Sequence, residues 1–429
     1  MLLRFSVKNH LSIRDTQELS MVATTLKDRS EGLIANPGRS KDKVLPAAVI
    51  YGANASGKSN LVLALAFMKE QVLYSHSQGD PNGGVNRNPF ALSAKCRDEP
   101  TEVEADFVDD GVHYHYGFAA NDREIVSEWL YAFPHGTQRK LFERTSPTTI
   151  EFGSSLKGKR QAIADLMRSN SLYLSAAAQN GHSELLLIAN FFRKIDSNRD
   201  ISVSPLEINF KLDGSDFDKR SLAFFRNIGT GIVGVEKHEK PINKRLQEFQ
   251  GKFTNFLDDF FETKHSAKIG SEISELMREE IRFIHKDESG NEIPFDLDRE
   301  SSGTRRLVVL LNNCFKSLDN GTPIIIDEID VSLHTQACEA ILYLFSDPKI
   351  NTKGAQLIAT THDTNLLRSP YLRRDQIWLT EKNTGGATEL YSLADIKTRG
   401  DDNFELGYLQ GRYGAVPFTG PVSELFAAS

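Results

Sequence analysis

Gly52-Ala53-Asn54-Ala55-Ser56-Gly57-Lys58-Ser59 fits the pattern G-x-x-x-x-G-K-[ST] in full. Each residue type has a physical reason. Glycines let backbone N–H groups turn inward around an anion without Cβ clashes. A helix that starts at the end of the loop aims its positive end at the same anion. The Lys58 ammonium can reach the β- and γ-phosphates of a nucleotide, and the Ser59 hydroxyl can ligate Mg²⁺. Gly52 to Asn60 are therefore candidate nucleotide contacts. The flanks agree with the motif. Residues 46–51, PAAVIY, are a short apolar run that suits a buried strand, and Asn60 to about Leu73 suits an apolar helix.

The second acidic site lies far downstream. Pro323-Ile324-Ile325-Ile326 is an apolar strand that ends in Asp327-Glu328. Behind a phosphate loop, Asp327 suits the Mg²⁺ shell and Glu328 suits a general base that polarises water. Taken alone, an acidic pair after an apolar strand also suits an ordinary strand end at the surface. The order of the next motifs narrows the choice. Ile329-Asp330-Val331-Ser332-Leu333-His334 continues the segment, and a strand from Gln356 to Thr360 ends in Thr361-His362-Asp363. The His362 imidazole is placed to hydrogen-bond a γ-phosphate oxygen. Upstream, Glu300-Ser301-Ser302-Gly303-Thr304 precedes a helix that begins near Arg305. A hydroxyl-and-glycine turn at a helix start can cradle an anion or simply cap the helix with Ser301 or Ser302.

Around these motifs, residues 3–8 and about 17–24 read as strands. Val103, Ala105 and Phe107 alternate, Asp109-Asp110-Gly111 turns, and Val112, Tyr114, Tyr116 and Phe118 alternate again, so a hairpin is expected. Further strands near 125–132 and 139–144 complete an antiparallel β layer inserted after the phosphate-loop helix. From 184 to 290 the pattern turns mostly helical. Phe249, Phe253, Phe256, Leu257, Phe260 and Phe261 recur at helical spacing and read as core or as a seam between helices. No sustained heptads appear there.

Composition fits a soluble globular chain. Of 429 residues, 39% are apolar and 25% charged, which argues against disorder. No apolar run approaches the roughly 18 residues of a spanning helix, so no membrane partner is expected. The start of the chain alternates like a strand and has no signal-peptide core. Cys96, Cys314 and Cys338 are odd in number and far apart, which points to a reducing cytoplasm. The net charge of −7 excludes a basic nucleic-acid coat but leaves a local basic groove open. Candidate clusters are Lys157, Lys159 and Arg160, and Lys237, Lys240, Lys244 and Arg245, although solvated faces look the same. The 67 residues after His362 are too few for an ordinary carboxylate-metal nuclease.

Taken in order, GANASGKS, ESSGT, IIIDEID-SLH and TTHD resemble the ABC-type ATPase heads of the SMC, RecF and OLD group. The 269-residue separation of Lys58 and Asp327 suits that group, in which a β layer and a helical insert intervene. The resemblance implies an α/β fold: an ABC-type P-loop NTPase head with a mixed central sheet, an antiparallel β layer and an inserted helical subdomain. It implies an N-terminal ATPase lobe over 1–183, a helical insert over 184–290 and a C-terminal ATPase lobe over 291–429. It also implies ATP and Mg²⁺ as cofactors and ATP hydrolysis in a head-to-head homodimer. Ser301 and Gly303 match the signature loop, which contacts ATP bound to the opposite subunit. Asp330 matches the D-loop, and His362 the switch histidine. Two departures stand out. Glu300 occupies the signature's usual leading leucine, which weakens a transporter assignment. No Q-loop glutamine is obvious, and Gln179, at the end of the strand-like run from Leu172, is the best candidate.

LRFSVKNHLSIRD near the start and YLQGRYGAVP (Tyr408 to Pro417) look like a narrower group. These are the stand-alone AAA-family ATPases of bacterial anti-phage and abortive-infection modules, similar to the ATPase subunits of PARIS and Septu systems. That similarity implies an ATP-switched sensor or scaffold that regulates a separate effector, often a nuclease. The alternative is a RecF- or SMC-like DNA-binding repair or clamp ATPase. A non-catalytic nucleotide-binding scaffold is a third reading, and Glu328 argues against it.

Overall fold

The computed structural model describes residues 1–38, 41–198, 217–239, 279–400 and 402–416. The chain opens with β1 (Leu2–Lys8), β2 (Gln17–Ser20), a small pair β3 (Ile34–Ala35) and β4 (Lys43–Val44), and β5 (Ala47–Gly52). Helix α1 (Lys58–Tyr74) and the short α2 (Ala94–Asp98) come after it. Next are β6 (Thr101–Asp109), β7 (Val112–Ala120), β8 (Ile125–Phe133), β9 (Arg139–Ser146) and β10 (Thr149–Phe152). Helices α3 (Arg160–Leu166), α4 (Tyr173–Gln179) and α5 (Ser183–Lys194) lead to β11 (Asp196–Asn198). Helix α6 (Lys219–Asn227) precedes β12 (Gly234–Glu239), β13 (Glu279–Lys286) and β14 (Glu292–Asp296). The chain continues with α7 (Ser302–Asn320), β15 (Pro323–Ile326), α8 (Thr335–Ser346), β16 (Gln356–Thr360), β17 (Ile377–Lys382), β18 (Thr388–Ser392) and α9 (Phe404–Leu409).

Two compact units result. The first holds 1–199, 317–330 and 338–429, and the second lies within 200–316 together with 331–337. The first unit contains the mixed central sheet, in the order β11-β15-β16-β5-β17-β18. All its pairings are parallel except β17 with β18. β5 is buried along its whole length, as a strand covered on both faces must be, and this explains its unbroken apolar run. Helix α1 is apolar on most of its circumference, with Leu61, Val62, Leu65, Phe67 and Met68 all buried. A helix apolar all round belongs inside a core.

The antiparallel layer is larger than the sequence pattern implies. It has seven strands in the order β10-β9-β8-β7-β6-β1-β2. It is therefore not a pure insertion after α1, because the N-terminal hairpin completes it. Phe5 and Val7, both fully buried on β1, supply the reason. β1 pairs with β6 in the register Phe5↔Ala105 and Val7↔Val103, so both strands point one apolar set into the same core.

The stretch expected to be mostly helical is mixed where it is described. Its helices are α5 and α6, and β12-β13-β14 form a three-stranded antiparallel sheet in the second unit. β13 and β14 pair directly, Phe283↔Phe295, so a domain boundary after residue 290 would cut a hairpin at its turn. Helix α5 belongs to the first unit, which places that boundary near 199 and not at 183. The aromatic stripe from Phe249 to Phe261 lies outside the described residues. Among those described, no helix is long and apolar enough to cross a membrane.

Candidate nucleotide site

Parallel strands that share a register end together, and ligands of open α/β sheets bind beyond their carboxyl ends. Here Ile326 of β15 pairs with Ala359, Thr360 of β16 with Ile50, and Thr380 of β17 with Gly52. The segments that continue from β5, β15 and β16 therefore emerge side by side. They carry Gly52 to Ser59, Asp327 to Asp330, and Thr361 to Asp363.

The phosphate loop has the backbone its sequence demands. Gly57 has φ +113° and Ala55 φ +62°, turns that fold the loop back on itself before α1 begins at Lys58. The Lys58 ammonium is buried and donates to the carbonyls of Gly52 (2.8 Å) and Ala53 (3.1 Å). Burial pushes its pKa down, and the nearby charges of Glu328, Asp327 and Asp330 oppose that shift. A buried cation held by neutral carbonyls is prepared to receive an anion.

The acidic segment meets the loop directly. Ser59 Oγ donates to Asp327 Oδ1 at 3.2 Å. Thr360 Oγ1 donates to the same oxygen at 2.5 Å and accepts the Glu328 backbone N–H at 2.7 Å. Glu328 has φ +52°, an uncommon conformation for a residue with a long side chain. Such strain persists where surrounding contacts hold it, often at functional sites. Asp330 accepts the His362 N–H with both carboxylate oxygens, each at 3.2 Å. Burial, and then the Lys58 charge, push the His362 imidazole below its ordinary pKa, against the pull of Asp330, Glu328 and Asp327. The imidazole is therefore largely neutral at pH 7. Within this hydrogen-bonded set, Thr360 is the residue that the sequence pattern does not single out. Its only signal is a threonine at the strand end, two residues before His362.

The arrangement fits ATP with Mg²⁺. No cluster of three or more His, Cys, Asp or Glu side chains suited to a metal exists among the described residues. The Ser59 hydroxyl and the Asp327 carboxylate supply a pair of hard oxygens instead. Mg²⁺ in nucleotide sites takes few protein ligands and fills its shell with phosphate and water.

Other candidates lie elsewhere. Gln179 ends a helix, α4, and not a strand, and its side chain donates to the Leu73 carbonyl at 3.4 Å. Leu73 is at the far end of α1 from Lys58, roughly 20 Å away at 1.5 Å per residue. Gln179 is thus not at the phosphate loop, and the Q-loop assignment fails there. Ser301 and Gly303 belong to the second unit. Ser301 Oγ caps α7 by accepting the Thr304 N–H at 3.1 Å. A Cβ on Gly303 would collide with the Ser332 carbonyl, which explains the glycine. Glu300 Oε1 lies 2.7 Å from His285 Nε2, so the departure from leucine is used for a hydrogen bond with β13. His334 Nδ1 accepts the Gln336 N–H at the start of α8, a capping contact. Of the basic clusters, Arg160 turns inward to the Gly153 and Leu156 carbonyls, and Lys240, Lys244 and Arg245 lie outside the described residues.

No curated protein matches the chain. Among solved structures, the chain is similar to the SMC head domain from Thermotoga maritima, at 15% identity and TM-score 0.39, covering 92% of this chain and 99% of that one. It is also similar to an SmcHead bound to the C-winged helix domain of ScpA, at 16% identity and TM-score 0.41, covering 91% and 97%. A third is the Smc head domain with an extended coiled coil bound to the C-terminal domain of ScpA derived from Pyrococcus furiosus, at 14% identity and TM-score 0.38, covering 91% and 96%. A family model matches residues 47–368, well over half of the chain and spanning every motif from the phosphate loop to His362. The chain belongs to the family described as "AAA domain, putative AbiEii toxin, Type IV TA system".

Proposed function

We propose that this chain binds ATP with Mg²⁺ and hydrolyses it, and that the nucleotide state switches a dimer that regulates a partner effector. One observation carries the reading: the continuous hydrogen-bonded path Ser59–Asp327–Thr360–Glu328 N, laid beside the buried Lys58. It joins the metal-binding hydroxyl of a phosphate loop to the backbone of a candidate base. A surface strand end has no need of such a path.

In this reading the loop amides of 53–59 and Lys58 hold the triphosphate. Mg²⁺, when bound, neutralises charge on the phosphate oxygens. Ser59 and Asp327 face it, and Thr360 fixes the Asp327 carboxylate. Glu328 orients water and takes its proton, while neutral His362 hydrogen-bonds the γ-phosphate. Asp330 holds the His362 backbone in place. Ser301 and Gly303 complete the site of a second copy, so turnover requires two chains. The effector is a separate protein, as the resemblance to the ATPase subunits of anti-phage modules implies. Defence against phage is the setting that the terminal sequence patterns favour.

The first test is ATP turnover by the purified protein with Lys58→Ala and Glu328→Gln beside it. Lys58→Ala should abolish nucleotide binding. Glu328→Gln should keep binding and lose turnover by about 10²- to 10⁴-fold, the usual worth of a positioned base. Turnover by Glu328→Gln at the wild-type rate would remove Glu328 from this role.

A further inference from the structure

Outside the phosphate loop, a run of hydroxyls reaches it from two distant parts of the chain. Thr388, the first residue of β18, is almost fully buried. Its Oγ1 donates to the Ser56 carbonyl at 2.7 Å. A hydroxyl has one proton, so the other two contacts of Thr388 Oγ1 must be accepted ones. They come from Lys382 Nζ at 3.0 Å and from Ser12 Oγ at 2.7 Å. Ser12, having donated, accepts the side-chain amide of Asn60 at 2.5 Å. The direction of the chain is therefore fixed: Asn60 to Ser12 to Thr388 to the Ser56 carbonyl. It begins in the first turn of α1 and returns to the loop just before it. A parallel bond holds the Ser56 side chain. Thr380 Oγ1 donates to the Tyr51 carbonyl at 3.2 Å, so Ser56 Oγ donates to Thr380 at 2.6 Å.

The consequence lies in one peptide plane. In a trans peptide the C=O and the following N–H point in opposite directions. With the Ser56 carbonyl held outward by Thr388, the Gly57 N–H must face inward, where a phosphate would sit. The contact is also tight. A Cβ on Gly57 would collide with Thr388 Oγ1, so glycine is required at 57 for close approach as well as for its φ of +113°. We propose that Thr388 is a positioning residue for nucleotide binding, which locks the Ser56–Gly57 peptide with its N–H turned into the phosphate cradle. This deepens the ATP-binding reading and rests on it. Lys382 and Ser12 hold the Thr388 hydroxyl in the orientation that serves that carbonyl.

The test compares wild type, Thr388→Val and Thr388→Ser in the full chain. Two readouts are taken: affinity for a fluorescent ATP analogue, and amide hydrogen exchange of the 52–60 segment without nucleotide. Valine keeps the shape and removes the hydroxyl. It should weaken binding about tenfold, raise KM by more than it lowers kcat, and speed exchange in the loop. Serine should restore both affinity and protection. Wild-type affinity and protection in Thr388→Val, or failure of serine to rescue, would overturn the proposal. Should Thr388→Val fail to fold, Ser12→Ala breaks the same chain one bond earlier and should show a smaller loss of both. Should wild type bind no nucleotide, the ATP reading falls, and the exchange comparison alone decides whether Thr388 orders the loop.

Discussion

Thr360 has one hydroxyl proton, and it goes to Asp327 Oδ1, which leaves its lone pairs to accept the Glu328 N–H. That single side chain connects the candidate metal ligand to the candidate base. Thr360→Val keeps volume and strand propensity but strips both bonds, taking this acceptor from the part-buried Glu328 N–H and one hydroxyl donor from Asp327. Turnover at saturating ATP should fall by about tenfold or more, with a smaller change in nucleotide affinity. Steady-state kinetics beside direct binding will separate the two, and an unchanged kcat would remove Thr360 from the catalytic assembly. His362 carries a second prediction. Its pKa lies below 6.5, chiefly because burial disfavours the imidazolium. A group with a lowered folded-state pKa stays neutral as pH falls through the ordinary value. Any stability linked to it is intact above 6.5 and declines as pH falls from there toward the lowered value. The acid limb of kcat/KM due to His362, which reports the nucleotide-free protein, should accordingly lie below pH 6.5 and vanish in His362→Asn. A limb centred above 6.5 that disappears on the same substitution would contradict the assignment.

Between elements, the β layer and the helices behind it are joined by a buried carboxylate. Glu128 on β8 accepts the backbone N–H groups of Tyr173 (2.6 Å) and Leu174 (3.0 Å), the first two residues of α4. It also accepts the Tyr116 hydroxyl at 3.0 Å. The helix has no side-chain cap of its own, so a strand supplies one from outside. Arg144 on β9 is also fully buried, and its guanidinium bonds the Ser169 and Ser171 carbonyls that lead into α4. Desolvation raises the Glu128 pKa and lowers that of Arg144, and each charge offsets the cost of the other. Glu128→Ala should destabilise the chain by about 3–5 kcal/mol in urea unfolding, because it leaves three donors without their acceptor and removes the charge that offsets the burial of Arg144. A loss under about 1 kcal/mol would mean that water or a rearranged loop replaces the carboxylate. None of this was legible beforehand. The sequence shows Glu128 as one polar residue in an alternating strand, and nothing in it says that a helix 45 positions later lacks a cap. What was legible has a local cause. The phosphate loop, β5, α1, β15 and β16 come from runs whose periodicity and flanking turns agree. The positions of Glu328 and His362 just past β15 and β16 follow from those strands. Gln179 was misplaced because a short apolar run reads equally as strand or helix, and Tyr173 to Gln179 forms a helix. The three-stranded sheet was missed because β12 and β13 are separated by a long stretch with helical spacing. Thr360, Thr388 and Ser12 are single hydroxyls whose partners are set by sheet register, and register is not written in any local pattern.

Across the molecule, the candidate site residues are divided between its two units. Lys58, Ser59, Asp327, Glu328, Asp330 and His362 belong to the first, and Ser301 and Gly303 to the second. In the head-to-head dimer proposed above, Ser301 and Gly303 of each copy serve the phosphate loop of the other. A site shared in this way has a consequence that no property of the single chain can imitate. Lys58→Ala removes the phosphate contact, and Ser301→Ala removes the signature hydroxyl, which also caps α7 through the Thr304 N–H. Each should be nearly inactive alone. In an equimolar mixture, a mixed dimer pairs the intact loop of the Ser301→Ala chain with the intact signature of the Lys58→Ala chain. One of its two sites is then complete. The mixture should turn over ATP at a substantial fraction of the wild-type rate, and the recovered rate should depend on protein concentration as dimer formation does. The doubly substituted chain mixed with wild type is the matching comparison. In its mixed dimers the wild-type loop meets a defective signature, and the wild-type signature meets a defective loop, so neither site is complete. An excess of the doubly substituted chain should therefore suppress wild-type turnover. If the two single variants stay inactive together while each still folds and Ser301→Ala still binds nucleotide, the signature acts within its own chain or not at all, and the two-chain site is wrong.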